Sequence, residues 1–262
     1  MQHLFDAWEK VAHRLKSANH VLLLSDLDGT LIPIADRPEM AALPLETRGL
    51  LRTLVKNRHY TVGIVSGRAL ADLKAKVNVE GIVYAGNHGL EIEGFGSNFL
   101  EPIAEEMRPF FQILNQVLSA TFRGVKGVFV ENKGLTLSVH YRSVDDIEET
   151  GVRDAFDRVT NPLNVTGRIK ITQGKKVYEI RPPVDWDKGK AIAWLIAKCR
   201  DVKGKRGALP VYLGDDLTDE DGFKVIEKNN GISIFVGEQS FPSMARYFLK
   251  SPEEVTELFK ML

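Results

Sequence analysis

The run Val21-Leu22-Leu23-Leu24 offers no polar side to water. Side chains of an extended segment alternate between two faces, so a strand that is apolar throughout must be covered on both. A parallel sheet clothed in helices meets that condition, and the neighbouring sequence supplies the remaining parts. Short apolar runs at Val21–Ser25, Thr61–Val65 and Ile82–Ala85 alternate with helical periodicities at Leu45–Asn57 and Ala69–Val77. The signature returns late in the chain, with a helix over Lys188–Lys198, a strand at Val211–Leu213, a helix over Glu220–Lys228 and a strand at Ile232–Val236. One α/β sheet is therefore expected, split in sequence by whatever lies between.

From about Pro102 to Pro183 the pattern changes. A helix carrying Ile103, Met107, Phe110, Leu114 and Val117 is followed by alternating strands. Leu135, Leu137, Val139 and Tyr141 fall on one face of an extended segment, leaving Thr136, Ser138, His140 and Arg142 on the other; Val177–Arg181 likewise pairs Glu179 with Arg181. This predicts an antiparallel sheet with two helices, an α+β insert over 103–183, within a core made of 1–102 and 184–262. Prolines at both ends suit short linkers.

The 262 residues are enough for one large domain or for a core with a smaller companion. Lys plus Arg equals Asp plus Glu at 35 each, so no global field draws the chain to nucleic acid or an anionic membrane. Neither partner is expected, and anion recognition has to be local. The longest apolar runs fall far short of the roughly 18 residues that span a bilayer. Met1–Lys16 interleaves charged residues with Leu4, Trp8, Val11 and Leu15, which predicts an amphipathic helix and not a signal peptide. A cytoplasmic monomer is the expectation. Cys199 is the single cysteine, which excludes an internal disulfide and a cysteine-rich zinc site.

Ligands of an open parallel sheet sit beyond the carboxyl ends of its strands. Ser25-Asp26-Leu27-Asp28-Gly29-Thr30, Ser66-Gly67-Arg68 and Gly214-Asp215-Asp216-Leu217-Thr218-Asp219 each follow a predicted strand, so their side chains should converge. That much negative charge at one edge is unfavourable without a cation. A hard, oxygen-ligated ion answers it, and Mg²⁺ fits best because it accepts few protein ligands and leaves room for a phosphate oxygen. A carboxylate can attack phosphorus, and a second one two residues on can donate and retrieve the proton. Gly29 lets the backbone turn close to the phosphate. Alone, Asp-x-Asp-Gly-Thr could equally be a strand-terminating turn or a calcium loop, and Lys188 a solvated charge at a helix start.

Taken in order, Asp26-Leu-Asp-Gly-Thr-Leu, Ser66-Gly-Arg, Lys188-Gly189 and Gly214-Asp-Asp-x-Thr-Asp resemble the four motifs of the haloacid dehalogenase superfamily. The resemblance implies a Rossmann-like parallel core with an inserted α+β cap. It further implies Asp26 as nucleophile, Asp28 as general acid and base, and Ser66 with Lys188 as the grip on the phosphoryl group. The implied metal set is Asp26, Asp28 through its carbonyl, Asp215 and Asp216. Asp216 and Asp219 could each reach metal-bound water, while Asp219 could instead be an acidic residue of the following helix's first turn.

Gly86-Asn-His-Gly-Leu-Glu91, the stretch Glu131–Arg142 and Tyr178-Glu-Ile-Arg-Pro182 are similar to segments of trehalose-6-phosphate phosphatases. With the four motifs, that similarity covers about Val21 to Phe223. Leu27 departs from it, since relatives often carry an aromatic there. The resemblance implies hydrolysis of a disaccharide phosphate, with the insert choosing the leaving group and hinges near Glu101–Pro102 and Arg181–Val184. Thr30, Arg68, Asn87 and His88 are the substrate-binding residues expected in the core. Glu131, Lys133, His140, Arg142, Glu179 and Arg181 are those expected in the insert. His88 could equally be a buried structural histidine, and Glu131 a turn or ion-pair residue. Rival readings are a phosphatase of sucrose phosphate, mannosyl-phosphoglycerate or a hexose phosphate, a hexose phosphomutase, and a non-catalytic sugar-phosphate sensor.

Overall fold

Residues 1–35, 38–174, 176–202, 207–238 and 242–262 are described by the computed structural model of the chain. The chain divides into two compact units, Met1–Phe99 with Trp186–Leu262, and Leu100–Asp185.

In the first unit the strand Val21–Ser25 lies at the middle of a nine-stranded sheet. Tyr60–Val65, Val83–Gly86, Glu91–Gly94 and Ser97–Leu100 extend it on one side; Leu209–Gly214, Ile232–Val236, Tyr247–Leu249 and Gln2–His3 extend it on the other. Pairing is parallel from Gln2–His3 through Val83–Gly86 and becomes antiparallel at Glu91–Gly94. Successive residues of the central strand serve opposite layers. Val21 and Leu23 pack into one cluster with the helices Trp8–Ser17, Leu45–Lys56, Leu70–Val77 and Pro252–Met261. Leu22 and Leu24 pack into another with Lys188–Val202 and Glu220–Lys228. The unbroken apolar run is what that two-sided burial requires.

Two N-terminal features depart from expectation. Met1–Lys16 is not one helix: Gln2–His3 forms an edge strand against Tyr247–Leu249, Phe5–Ala7 a 3₁₀ turn, and only Trp8–Ser17 is α-helical. His3 packs edge-on against Phe248 and bonds Glu254, contacts invisible until the chain ends meet.

The second unit is a four-stranded antiparallel sheet ordered Phe129–Asn132, Leu137–His140, Val177–Arg181, Lys170–Gly174, with the helices Arg108–Thr121 and Glu149–Val165. Phe111, Leu118, Leu137, Val139, Phe156 and Ile180 form its own core. Tyr178 stacks on both Tyr141 and Phe156, with centroids 4.9 and 4.2 Å away. The helix predicted through Met107 is broken there, where Pro102–Glu106 gives way to Arg108–Thr121 with Pro109 in its first turn.

Leu23→Ala removes a buried side chain from the middle of the sheet and should destabilise the protein by about 2–5 kcal/mol. Denaturant unfolding checks this, with an unchanged midpoint counting against the packing described.

Candidate active site

Strand register brings the sequence motifs to one edge. Ser25 is level with Leu213 on one side and Ile64 on the other, so Asp26, Asp215 and Ser66 emerge together at the carboxyl ends of three adjacent strands. The Asp26 N–H donates to the Leu213 carbonyl at 2.8 Å. Chain order reverses between Val21–Ser25 and Leu209–Gly214, the position at which a doubly wound sheet opens a crevice.

Lys188, in the first turn of its helix, places Nζ 3.2 Å from Asp26 and 2.7 Å from Asp219. All three side chains are buried. Asp219 accepts from the backbone N–H groups of Asp215 and Asp216 at 2.9 and 3.1 Å, and also from the Tyr212 hydroxyl. Burial would by itself pull the Lys188 ammonium down, but Asp219 and Asp26 more than reverse this, holding it well above the ordinary lysine value. Burial lifts the Asp26 carboxyl well above the usual range; Lys188 opposes the shift while Asp219, Asp215 and Asp216 add to it.

One carboxylate oxygen from each of Asp26, Asp215 and Asp219 falls within 4.8 Å of the others. Asp216 lies outside that trio. Its Oδ1 accepts from the Thr218 N–H and Oγ1 at 2.8 and 2.7 Å, capping the turn Leu217–Asp219. Burial works against the Asp216 charge, but Lys188 and the Thr218 donors outweigh it and hold the carboxyl below its ordinary value. Thr30 is buried and donates to Asp215 at 3.4 Å. Gly29, at φ +83°, lies so close that a Cβ would sit 2.0 Å from Asp215 Oδ2. Both its backbone turn and that contact require glycine.

Asp28 does not belong to that trio and is gripped by Arg68. Arg68 Nε and Nη2 reach its two oxygens at 2.6 Å each, and Nη1 reaches Asp72 at 2.7 Å. Burial would lower the guanidinium's pKa, but the bonds to Asp28 and Asp72 raise it. Ser66 Oγ accepts from the Arg68 N–H at 3.2 Å. Asn87 and His88 lie behind this loop, the Asn87 N–H donating to the Arg68 carbonyl at 2.7 Å and the His88 N–H to the Ser66 carbonyl at 2.9 Å. Asn87, His88 and Gly89 are consecutive left-handed residues, at φ +47°, +56° and +88°. The two non-glycine conformations cost about 1–3 kcal/mol each. Asn87 Nδ2 bonds Glu91 Oε1, which also accepts from the Leu70 N–H.

In the second unit, Glu131, Ser138, Glu179 and Thr172 form one row across all four strands. Lys133 pairs with Glu179 at 3.1 Å, both side chains nearly buried, and His140 pairs with Glu131 at 2.8 Å beneath the stacked ring of Phe129. Arg181 ends its strand opposite Lys170, and Arg142 follows two residues after Leu137–His140. Ser138 and Thr136 are buried, so the polar face of this sheet is not simply a solvated one.

The model of the trehalose-phosphatase family matches residues 24–253. The chain belongs to the trehalose-phosphatase family. Among its relatives is the probable trehalose-phosphate phosphatase D of Arabidopsis thaliana, 35% identical over 97% of this chain and 70% of that one. The C. albicans trehalose-6-phosphate phosphatase C-terminal domain has the same fold, with a TM-score of 0.81 at 21% identity over 97% of this chain and 95% of that one. A haloacid dehalogenase-like hydrolase from Bacteroides thetaiotaomicron shares it at a TM-score of 0.61 and 16% identity, over 92% and 99% of the two chains. Membership makes the chain a phosphoric monoester hydrolase with a haloacid dehalogenase-type core.

An oxygen-only donor set suits a hard divalent cation. Asp26, Asp215, Asp216 and Asp219 oppose the buried Lys188 ammonium, an excess of negative charge that such an ion would balance. Asp219 is the least available of the trio because its oxygens already accept from Lys188, Tyr212 and two N–H groups. Leu27 is fully buried in the core and serves packing. Asp72, Glu91 and Tyr212 were not singled out from the sequence. Asp72 was within reach of inspection as the helical i+4 partner of Arg68; Tyr212 and Glu91 become meaningful only after folding. Among the described residues, no helix is long and apolar enough to cross a membrane.

Titrating the protein with Mg²⁺ should raise its thermal midpoint, by the equivalent of about 2.7 kcal/mol at a hundredfold excess over Kd. Asp215→Asn should remove most of that rise, as scanning calorimetry would record; an undiminished rise would take Asp215 out of the cation site.

Proposed function

We propose that the protein is a Mg²⁺-dependent phosphatase that hydrolyses trehalose 6-phosphate to trehalose and phosphate through an aspartyl-phosphate on Asp26. The observation that carries this reading is the buried Asp26 carboxylate at the end of the central strand, 3.2 Å from Lys188 and close to Asp215. Family membership and relatives named as trehalose-phosphate phosphatases support the substrate.

Asp26 attacks phosphorus, and the bond to the sugar oxygen breaks. Asp28 gives that oxygen its proton, then takes one from the water that hydrolyses the phosphoenzyme. Lys188 and Ser66 hold the phosphoryl oxygens, and Lys188 offsets negative charge in the transition state. Asp26, Asp215 and the Asp28 carbonyl would hold Mg²⁺, with Asp216 as a further candidate; when bound, the ion neutralises carboxylate and phosphoryl charge. In the second unit, Lys133, His140, Arg142, Glu179 and Arg181, with Glu131 orienting His140, recognise the disaccharide through its hydroxyls. The Lys133–Glu179 and His140–Glu131 pairs favour this over an idle surface, because paired, largely buried polar groups are already held in place before a ligand arrives.

Phosphate release from trehalose 6-phosphate, with Mg²⁺ and with excess chelator, tests the reading against sucrose phosphate, mannosyl-phosphoglycerate and hexose phosphates. Rapid release from the trehalose ester that chelator stops is the expected outcome. A faster rate on another ester would reassign the substrate, and insensitivity to chelator would remove the metal. Asp26→Asn should abolish turnover, since an amide cannot carry the phosphoryl group.

Glu179→Gln should lower kcat/KM for the disaccharide phosphate by about 10- to 100-fold, through one charged hydrogen bond worth about 1.5–3 kcal/mol. A small aryl phosphate should be hydrolysed as before. Equal losses on the two substrates would show that Glu179 supports the fold and not the sugar.

A further inference from the structure

The family resemblance groups Arg68 with the substrate-binding residues, while its bonds in the structure run to two carboxylates. Its guanidinium is buried, and three of its nitrogens face carboxylates: Nε and Nη2 the two oxygens of Asp28, Nη1 that of Asp72. A planar fork on both oxygens fixes the plane of a carboxylate, which a point charge cannot do. The fork is itself fixed at the backbone. The Arg68 carbonyl accepts from Asn87, the Ser66 carbonyl from His88, and Ser66 Oγ from the Arg68 N–H. Asn87 and His88 hold strained left-handed conformations to make those bonds. Asp72, in the first turn of Leu70–Val77, anchors the far end of the guanidinium.

We infer that Arg68 is the positioning residue of the proton-transfer carboxylate, acting through Asp28 and not on the substrate. The inference rests on the phosphatase reading above and goes beyond it in assigning this role. As the sugar oxygen leaves phosphorus with the bonding electron pair, it takes the proton from Asp28, which becomes a carboxylate. Arg68 thus fixes the plane of the Asp28 carboxyl and keeps its oxygens oriented in both half-reactions. There a water oxygen attacks phosphorus, its proton passes to Asp28, and Asp26 departs as a carboxylate.

The role has a signature that neither phosphate binding nor folding shares. Proton donation matters for an alkoxide, a poor leaving group, and little for a nitrophenolate. The quantity to compare is kcat/KM, which covers only the steps through release of the alcohol. In Arg68→Lys, which retains charge but loses the fork, kcat/KM for alkyl phosphates, including the disaccharide phosphate, should fall about 100-fold. For 4-nitrophenyl phosphate it should fall less than about 5-fold. Asp72→Ala, altering only the outer anchor, should shift the two substrates in the same order. Equal losses across leaving groups in Arg68→Lys overturn the inference, whether they arise from weakened phosphate binding or from misfolding. A retained Mg²⁺-induced rise in thermal midpoint identifies the first of those causes. Should the unaltered protein hydrolyse none of these esters, the phosphatase reading itself fails and the inference goes with it.

Discussion

The buried pairing of Lys188 with Asp26 and Asp219 is the constraint around which the first unit is built. Removing each ion from water costs several kcal/mol, recovered only if every remaining donor and acceptor is satisfied. Asp219 meets this by accepting from Lys188, Tyr212 and two backbone N–H groups at once. Those partners come from the Leu209–Gly214 strand, the loop after it and the Lys188–Val202 helix, which are thereby locked to one another. Asp26 is left less fully compensated: burial raises its carboxyl and Lys188 opposes that only in part. Poor compensation is a stability cost, and it is one that a bound cation beside Asp26 would relieve.

Close packing at this edge explains why the motifs are short and glycine-rich. Gly29 lies against Asp215 and Gly214 against Asp219, where a Cβ would approach the carboxylate carbon to 2.3 and 2.4 Å. Two neighbouring strand ends can therefore crowd their acidic loops together without a side chain intervening. The strained Asn87-His88-Gly89 turn serves the third strand end, bonding the backbone of the Ser66–Arg68 loop from behind. Strain persists where surrounding bonds over-determine a conformation, and here two backbone bonds and the Asn87–Glu91 contact do so.

The sheet was legible because burial on both faces leaves an unmistakable apolar run, as at Val21–Leu24 and Ile232–Val236. The convergence of Asp26, Asp215 and Ser66 followed from the carboxyl-end rule, while the order of the strands that carry them came only with the structure. Less legible were features that depend on distant chain segments meeting. The edge strand Gln2–His3 needs Tyr247–Leu249, and nothing in two residues announces a strand. Asp219 read equally well as a helix-turn acid or a metal neighbour. Its interior position between Lys188 and Tyr212 comes from packing of Lys188–Val202 against Glu220–Lys228, which local sequence does not encode. Nor does local sequence announce the bonds from Thr30 to Asp215 and from Arg68 to Asp28, which need strand ends far apart in the chain to meet.

The two units solve different electrostatic problems. In the first, like charges are forced together and one cation-sized excess is left over. In the second, Lys133 is paired with Glu179 and His140 is hydrogen-bonded to Glu131, along strands whose register sets Glu131, Ser138 and Glu179 side by side. A neutral, hydroxyl-rich ligand can exchange hydrogen bonds with such pairs at little desolvation cost, because each charge keeps its partner while it does so. A phosphate would instead compete with Glu179 for Lys133 and leave that carboxylate unpaired.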